Sequence, residues 1–377
     1  MRETTANSSL VPILIASVLK PIHDSRAYEK LALSMRETNK YRVNIIGFSS
    51  KRVPKDPKIR FFNSMSHSYS LLDRLWAQVR FLKTLYEVRP KLVICCTWEL
   101  LPIARLFKKK LGYFLLYDVQ ENYVLNLNLN PELSPLKKKL AKLLIQKSES
   151  TRGIDHFILA EKCYQNEMPN KKPSLVLENT FAGKMTPRAP LKFPLKRRYT
   201  FLLSGTITPA YGVIDAINWF LNLLDEFKES KLIIIGQVPI PSFFEGLKKL
   251  ASQFPEIQLR IDQNPVSHSQ IMEEMQRAEF ALLPYKLQPE ISPKMPTKLF
   301  EAAALGVPVL INSNENWNKF LDEFGGGTEV DFLNPQTASE QFKKALAKTY
   351  FIHKPDDSIL WKTQESEFLN LISKILS

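Results

Sequence analysis

The side chains with the clearest capacity for chemistry lie in the segment 296–310. Thr297 and Glu301 are four residues apart and Lys298 is three residues before Glu301, so on a helix all three share one face. A helix N-terminus that carries a lysine favours a phosphate, because free N–H groups and the helix dipole both attract an anion. A carboxylate one turn further on can accept two hydrogen bonds from a ribose diol. The spacing therefore suits a sugar nucleotide; the alternative is an ordinary helix with a solvated lysine and glutamate.

A short helix followed by a buried strand must position these side chains. Pro296 suits the first turn of a helix, where its missing N–H costs nothing. Residues 302–305 favour a helix, and Gly306 is placed to end it. The apolar, β-branched run 307–311 is typical of a parallel strand that is covered on both faces.

A glycine-containing loop is the second predicted phosphate contact. Ser204, Gly205 and Thr206 end a predicted strand, and Tyr211 and Gly212 stand just before a helix. Such a loop can bring backbone N–H groups close to a diphosphate. Three further side chains, just before the helix, are expected to contact the nucleotide: Glu290, Ser292 and Lys294.

Polar side chains also follow the strands of the first half. Because open α/β sheets bind ligands at the carboxyl ends of their strands, we expect them to face a ligand. Carboxylates there can orient sugar hydroxyls or act as a base. The alternative for the first group is that Asp24 only caps the start of a helix, and the alternative for the second is a loop that caps its own backbone. The two groups are Lys20, His23, Asp24 and Arg26 after the first strand, and Asp118, Gln120, Glu121 and Asn122 after the strand at 113–118.

Strands and helices alternate through both halves, which predicts an α/β fold of two doubly wound, Rossmann-like domains that face each other across a cleft. The expected domains are 1–182 and 199–350, joined by a proline-containing basic linker at 183–198. A helical tail at 351–377 is expected to pack back on the N-terminal domain. The predicted strands are 10–18, 41–48, 91–97, 113–118, 156–160 and 174–178, then 199–204, 232–235, 257–261, 280–283 and 307–311.

Composition excludes several classes of protein. The chain has 377 residues with only 12 Gly, and it lacks both the G-x-G-x-x-G fingerprint and the P-loop, which argues against dehydrogenases and NTPases. It has no D-x-D pair and no zinc spacing, so no metal and no cofactor is expected. Its cysteines are odd in number and two are adjacent, which predicts free thiols, a reducing compartment and a cytoplasmic location.

The net charge of +14 predicts an acidic partner. The sequence shows no signal peptide and no apolar run of about 20 residues, but the stretches 136–147 and 105–110 are basic and amphipathic. Such helices suit the anionic inner face of a membrane, and the alternative is core-packed helices with solvated lysines. Nucleic acid is not expected, because aromatic residues are not interleaved with the basic runs.

These residues together resemble a known family. Pro296-x-Lys298-x-x-Glu301, followed by Gly306-x-Pro308, is similar to the donor-site signature of glycosyltransferases of the B-type fold, particularly glycosyltransferase family 4. Three further stretches fit that family at the expected places: the loop 204–213, residues 117–121 and residues 20–26.

The resemblance implies transfer of a sugar from a UDP- or GDP-sugar to a glycan or lipid-linked acceptor in surface polysaccharide synthesis, with retention and without metal. Glu301 would hold the ribose, while Lys298 and the amides of Gly205 and Thr206 would hold the diphosphate. Leu299 would also lie at the donor. The two polar groups of the first half would form the acceptor side, with Asp24 and Glu121, beside Lys298 and Glu301, as the predicted catalytic residues.

The chain departs from the family pattern at three places. Pro293 stands where an earlier glutamate is usual, and the basic pair after the glycine loop is replaced around Thr208 and Tyr211. Gln120 stands where a histidine is frequent. The alternatives are therefore a non-catalytic scaffold subunit on the same fold and a sugar-nucleotide epimerase of similar fold.

Overall fold

A computed structural model describes residues 10–49, 56–65, 71–130, 133–186 and 189–377. Within these ranges the chain divides into two compact units. The first contains the described residues up to 127, those between 133 and 178, and Gln364–Ser377; the second contains 128–130 and Asn179–Thr363. None of the helices described is long and apolar enough to cross a membrane.

The first unit is built on a parallel sheet with the order β3-β2-β1-β4-β5-β6-β7. The order reverses between β1 and β4, as in doubly wound folds. β2, β4 and β5 are almost fully buried, which explains their continuous apolar sequences. The strands are β1 Val11–Pro21, β2 Tyr41–Phe48, β3 Ile59–Asn63, β4 Leu92–Cys95, β5 Phe114–Val119, β6 His156–Leu159 and β7 Ser174–Val176.

Helices cover this sheet. A π-helix, Ser25–Ala32, leads directly into α1, and the Ser34 hydroxyl on α1 donates to the Glu365 carboxylate on α13 at 2.8 Å. The π-helix and α1 connect β1 to β2, toward one edge of the sheet. α2, α3 and α5 connect strands toward the other edge, so right-handed crossovers place these three helices together on the opposite face. The helices are α1 Leu33–Glu37, α2 Leu71–Val88, α3 Leu101–Leu111, α4 Tyr123–Asn126, α5 Pro135–Ser148, α6 Tyr164–Glu167 and the C-terminal α13 Lys362–Leu376.

The second unit repeats the arrangement with the order β10-β9-β8-β11-β12-β13. Here the order reverses between β8 and β11, which pair in parallel. The strands are β8 Thr200–Thr206, β9 Lys231–Gln237, β10 Ile257–Asp262, β11 Phe280–Leu283, β12 Val309–Ile311 and β13 Gly327–Glu329. The helices are α7 Val213–Leu223, α8 Pro241–Ala251, α9 His268–Arg277, α10 Thr297–Leu305, α11 Glu315–Asp322 and α12 Ala338–Leu346.

The boundaries between the units differ from those the sequence predicts. The chain passes from the first unit to the second after residue 178, ahead of the predicted linker. The described part of 183–198 belongs to the second unit, where Thr186 N–H donates to the Ala304 carbonyl and Leu191 bridges Tyr350. The chain returns to the first unit after residue 363, rather than at 351. The prolines of this segment do not prevent isolated backbone pairing at neighbouring residues.

Candidate functional site

The point where the strand order of the second sheet reverses gathers the residues predicted to bind a donor. β8 ends in Ser204, Gly205 and Thr206, and β11 is followed by Pro284 and Tyr285. α10 begins shortly afterwards. Ligands of open α/β sheets bind at such a reversal, beyond the carboxyl ends of the strands.

The Lys298 ammonium lies against Gly205. Gly205 has a φ of 99°, and a Cβ built on it would lie 2.5 Å from Lys298 Nζ. Nζ also donates a hydrogen bond to the Tyr285 hydroxyl at 3.0 Å. Burial lowers the pKa of Lys298, but the Tyr285 oxygen and the Glu301 carboxylate outweigh burial, so the pKa lies above its ordinary value. A fixed cation therefore sits at the end of β8.

Tyr285 is held by packing on both sides. Its ring centroid lies 4.7 Å from that of Tyr211 and 5.6 Å from that of Trp317. The Asn312 amide donates to the carbonyls of Pro284 and Tyr285 at 2.9 and 3.1 Å. These contacts fix the position of the Tyr285 hydroxyl, which accepts the hydrogen bond from Lys298. The family pattern has a basic residue near position 211. In this chain Tyr211 supports the site through the contact of its ring with Tyr285.

The start of α10 is ordered by contacts within the second unit. Pro296 is the N-cap residue rather than the first helical residue, and no side chain caps this end. The Thr297 hydroxyl accepts from the Asn179 amide at 2.8 Å, and Leu299 is fully buried. Gly306 ends the helix in the left-handed conformation, with φ 66°, as its place in the sequence predicts.

Glu301 lies one turn deeper and is 5% exposed. His268 Nε2 lies 2.8 Å from its Oε1, so one carboxylate oxygen is held by the first residue of α9. A ribose diol that binds here would meet a carboxylate whose rotamer is already fixed. Nothing in the local spacing predicted His268, because it precedes Glu301 by 33 residues.

The remaining predicted donor contacts line the surrounding loops. Ser204 is buried, whereas Thr206 is exposed at the strand end. Glu290 accepts from the Asn128 amide at 3.0 Å. The carbonyl of Lys294 accepts from the Trp317 indole at 2.7 Å, and that of Ser292 accepts from Asn314. Gly212 has a φ of 69°, and a Cβ there would collide with the Pro284 carbonyl, so only glycine lets these two loops approach.

Two of the residues predicted for the acceptor side form a buried ion pair in the first unit. Arg26 and Asp118 are 1% and 0% exposed. Arg26 Nε donates to both carboxylate oxygens at 2.9 Å, Nη2 donates to Oδ1 at 2.7 Å, and Nη1 donates to the Leu177 carbonyl. The Gln120 amide also donates to Asp118. This placement favours a structural role for Arg26 and Asp118 over contact with an acceptor.

Asp24 and Asn122 both cap helices. The Asp24 carboxylate accepts from the amides of Arg26 and Ala27, each at 2.9 Å. Asn122 caps α4 and donates to Glu167 at 2.8 Å. The capping alternative therefore accounts for both side chains, and the catalytic role of Asp24 stays a prediction without geometric support.

Lys20 and Glu121 remain as the more accessible pair of this group. Their charged atoms lie 3.1 Å apart, and both side chains are partly exposed. Burial lowers the pKa of Lys20, but Glu121 and Asp24 outweigh it and hold the pKa above its ordinary value. The exposed His23 ring packs against Tyr28 and Phe61, and partial burial lowers its pKa. Among the described residues, no group of three His, Cys, Asp or Glu is arranged to hold a metal.

No protein-family model and no curated protein matches the chain. Solved structures are similar over nearly its whole length. Sucrose-phosphate synthase from Thermosynechococcus elongatus has a TM-score of 0.67 and 12% identity, with 97% of this chain and 99% of that one covered. Anabaena HepE in complex with UDP-glucose has a TM-score of 0.63 and 12% identity, with 96% and 99% covered.

WaaG, a glycosyltransferase involved in lipopolysaccharide biosynthesis, has a TM-score of 0.58 and 13% identity, with 96% of this chain and 95% of that one covered. The chain has the glycosyltransferase B-type fold. The predicted fold class, an α/β protein with two doubly wound units, is therefore confirmed. Within this B-type fold, the Lys298 and Glu301 site lies in the second of the two units.

Proposed function

We propose that the chain is a glycosyltransferase that takes a UDP- or GDP-sugar as donor and needs no metal. The observation that carries the proposal is the Lys298 ammonium, fixed between Gly205 and Tyr285 at the reversal point of the second sheet. A preorganised cation at this place stabilises the negative charge that develops on a leaving diphosphate. The crystallised relative HepE, with the same fold, was obtained with UDP-glucose and with UDP and glucose, which supports this donor class.

The donor contacts divide between two parts of the nucleotide sugar. Lys298, the first turn of α10 and the amides of Gly205 and Thr206 bind the diphosphate, while Glu301 accepts hydrogen bonds from the ribose hydroxyls. His268 holds Glu301 in position for that task. Leu299 packs the helix against the core and thereby fixes the orientation of its first turn.

The reaction we propose proceeds with retention. The bond between C1 of the sugar and the diphosphate oxygen breaks, and a new bond from C1 to the acceptor oxygen forms on the same face. The proton of the acceptor hydroxyl passes to the leaving phosphate oxygen. No protein nucleophile is needed, and the protein contributes orientation and electrostatic stabilisation.

The acceptor is a glycan or a lipid-linked glycan of surface polysaccharide synthesis, and the enzyme acts in the cytoplasm at the inner face of the membrane. WaaG, which has the same fold, is a glycosyltransferase of lipopolysaccharide biosynthesis, and that supports this class of acceptor. In the first unit, Lys20 and Glu121 are two partly exposed members of the predicted acceptor group and are the first candidates for contacts with its hydroxyls.

Substitution of the two donor residues tests the proposal. We expect Lys298→Ala and Glu301→Ala each to reduce donor hydrolysis and sugar transfer at least a hundredfold, because each loses about 2.7–4 kcal/mol of transition-state stabilisation. Glu245 and Lys248 form a matched control, since they are also three residues apart on one helix but are exposed and paired with each other. Full activity in Lys298→Ala and Glu301→Ala, with unaltered circular dichroism, would refute the proposal.

The same assays separate the two alternatives. A scaffold subunit would show neither hydrolysis nor transfer in the wild type. An epimerase would isomerise the donor sugar without any acceptor, which nuclear magnetic resonance of the donor detects.

A further inference from the structure

Most of the exposed large apolar side chains in the described part of the chain lie on three helices of the first unit. They belong to α2, α3 and α5, which cover the same face of the sheet. Contiguous apolar surface of this kind marks a site for a membrane or for another protein. The exposed side chains are Leu72, Leu75, Trp76, Val79 and Tyr86 on α2, Leu106 on α3, and Leu136, Leu140, Leu143 and Leu144 on α5.

α2 is apolar on both its faces. Its inward face buries Ala77, Phe81 and Leu85 completely, as expected for a helix packed on a sheet. At 100° per residue, the exposed apolar side chains of α2 fall within one stripe on the opposite side. Lys83 is the only charged residue within this stripe, so the exposed face of the helix is mainly apolar.

α5 carries its leucines on the exposed side as well. Its buried contacts are made by Ile145 and Ser148, whereas Leu136, Leu140 and Leu143 share the opposite face. Lys147 lies within this face and Lys139 lies beside it. The helix also carries Lys137, Lys138 and Lys142.

Contacts between the helices join these faces into one surface. α2 and α5 both pack on the short turn Trp98–Leu100, where Arg74 of α2 pairs with Glu99. Lys110 of α3 lies 5.6 Å from the centroid of the Tyr86 ring on α2. Arg105 of α3 donates to the carbonyls of Lys147 and Ser150 at the end of α5. We call the exposed side chains of α2, α3 and α5 the docking surface.

The charges on the docking surface select the partner. Two acidic side chains of α2 are neutralised, since Asp73 pairs with Arg80 and Glu87 pairs with Arg60. In contrast, the α5 lysines have no carboxylate within ion-pair distance among the residues described. Exposed leucines and tryptophan beside unneutralised lysines match the interface of an anionic bilayer, where apolar side chains enter and lysines remain at the headgroups.

We propose that the docking surface binds an anionic membrane, with α5 lying in the plane of the interface. α5 has 14 residues, which span about 21 Å, and its C-terminal end continues into the fold of the first unit. The helix can therefore lie on the bilayer without unfolding. That the bound enzyme then meets a lipid-linked acceptor rests on the proposed function, whereas the docking itself does not.

Vesicle binding tests the proposal. We expect the full-length protein to co-sediment with phosphatidylglycerol-containing vesicles and not with pure phosphatidylcholine vesicles, and to dissociate as salt is raised. Trp76 supplies a local probe, because it is the exposed tryptophan of the chain. Brominated lipids should quench its fluorescence, and Trp76→Phe should lose that quenching.

Two multiple variants identify the surface. Substitution of Lys137, Lys139, Lys142 and Lys147 by Gln, or of Leu140 and Leu143 by Glu, should reduce vesicle binding at least tenfold. The matched controls lie in the second unit: Lys228, Lys249, Lys344 and Lys348 replaced by Gln, and the exposed Leu195 and Leu333 replaced by Glu. Both control variants should bind like the wild type.

Three outcomes would overturn the proposal: no binding of the wild type to anionic vesicles at low salt, equal loss in test and control variants, or a stable dimer that L140E/L143E disperses. A protein interface would produce the last result. Because vesicle binding needs no donor, a failure of the docking proposal leaves the donor assays unaffected, and the reverse also holds.

Discussion

At the scale of single residues, each of the two central side chains depends on a partner from another element. The Lys298 ammonium donates a hydrogen bond to the Tyr285 hydroxyl, and the Glu301 carboxylate lies within hydrogen-bond distance of the His268 ring. The motif around residue 298 could be found from sequence because its members lie within one helical turn. The partners could not, because their pairing depends on how β11 and α9 pack beside α10. Both side chains are therefore held in place by contacts within the protein.

Replacing Tyr285 by Phe isolates the hydroxyl, since the ring contacts with Tyr211 and Trp317 remain. We expect donor affinity to fall roughly two- to tenfold, because one hydrogen bond of about 0.5–1.5 kcal/mol no longer orients Lys298. The pKa of Lys298 should also fall, so the alkaline limit of donor binding should move to lower pH. Calorimetric titrations between pH 7 and pH 10 measure both effects, and an unchanged affinity and pH profile would exclude this role for the hydroxyl.

His268 and Glu301 should separate stability from binding. His268→Ala leaves a nearly buried carboxylate without its observed partner, so we expect a loss of about 1–3 kcal/mol in the free energy of unfolding. Glu301→Gln keeps an oxygen for His268 but removes the charge and one acceptor for the ribose, so stability should change little while donor affinity falls. Urea unfolding measures the free energy of unfolding, and calorimetry measures the donor affinity. A loss of stability in Glu301→Gln with unchanged donor affinity would assign Glu301 to the fold alone.

At the scale of elements, the sequence predicted the buried strands best. The strands Tyr41–Phe48 and Phe280–Leu283 match their predicted limits. A continuous apolar run is typical of a strand that is covered on both faces, so its ends mark the ends of the strand. β3 and β13 were missed. β3 is only partly buried and β13 is a three-residue edge strand, so neither has a strong apolar signal. The π-helix at 25–32 could not be predicted as such, since helical spacing does not distinguish the two hydrogen-bond patterns.

The glycines of the second unit show how elements approach one another at the site. Gly205→Ala would press on the flexible end of Lys298, so we expect a folded protein with donor affinity reduced at least tenfold. Gly212→Ala would press on the backbone carbonyl of Pro284 and should lower the unfolding free energy by more than about 1 kcal/mol. Thermal unfolding and donor titration distinguish the two variants, and full donor affinity in Gly205→Ala would contradict the placement of Lys298.

At the scale of the whole molecule, the chain forms two units with separate buried cores, and the C-terminal helix belongs to the first. The sequence predicted the number of units and their α/β character. It could not predict where the chain crosses between them, because Phe181 and Leu191 form isolated backbone bridges that leave no periodic pattern.

Phe368 tests this division. Its side chain is fully buried although it lies nine residues from the end of the chain, on α13. We expect Phe368→Ala to destabilise the first unit by about 3–5 kcal/mol and to leave nucleotide binding by the second unit intact. Hydrogen exchange resolved by unit, with calorimetry on the same sample, measures both; equal loss of protection in both units would contradict it.

Calorimetry with UDP and GDP is the most direct test of the proposed nucleotide-sugar site at Lys298 and Glu301. We expect one site per chain for at least one of these nucleotides. We also expect Lys298→Ala to weaken binding at least a hundredfold, while the Glu245→Ala and Lys248→Ala controls bind like the wild type. Absence of binding to both nucleotides at millimolar concentration, or wild-type affinity in Lys298→Ala, would contradict the proposed site.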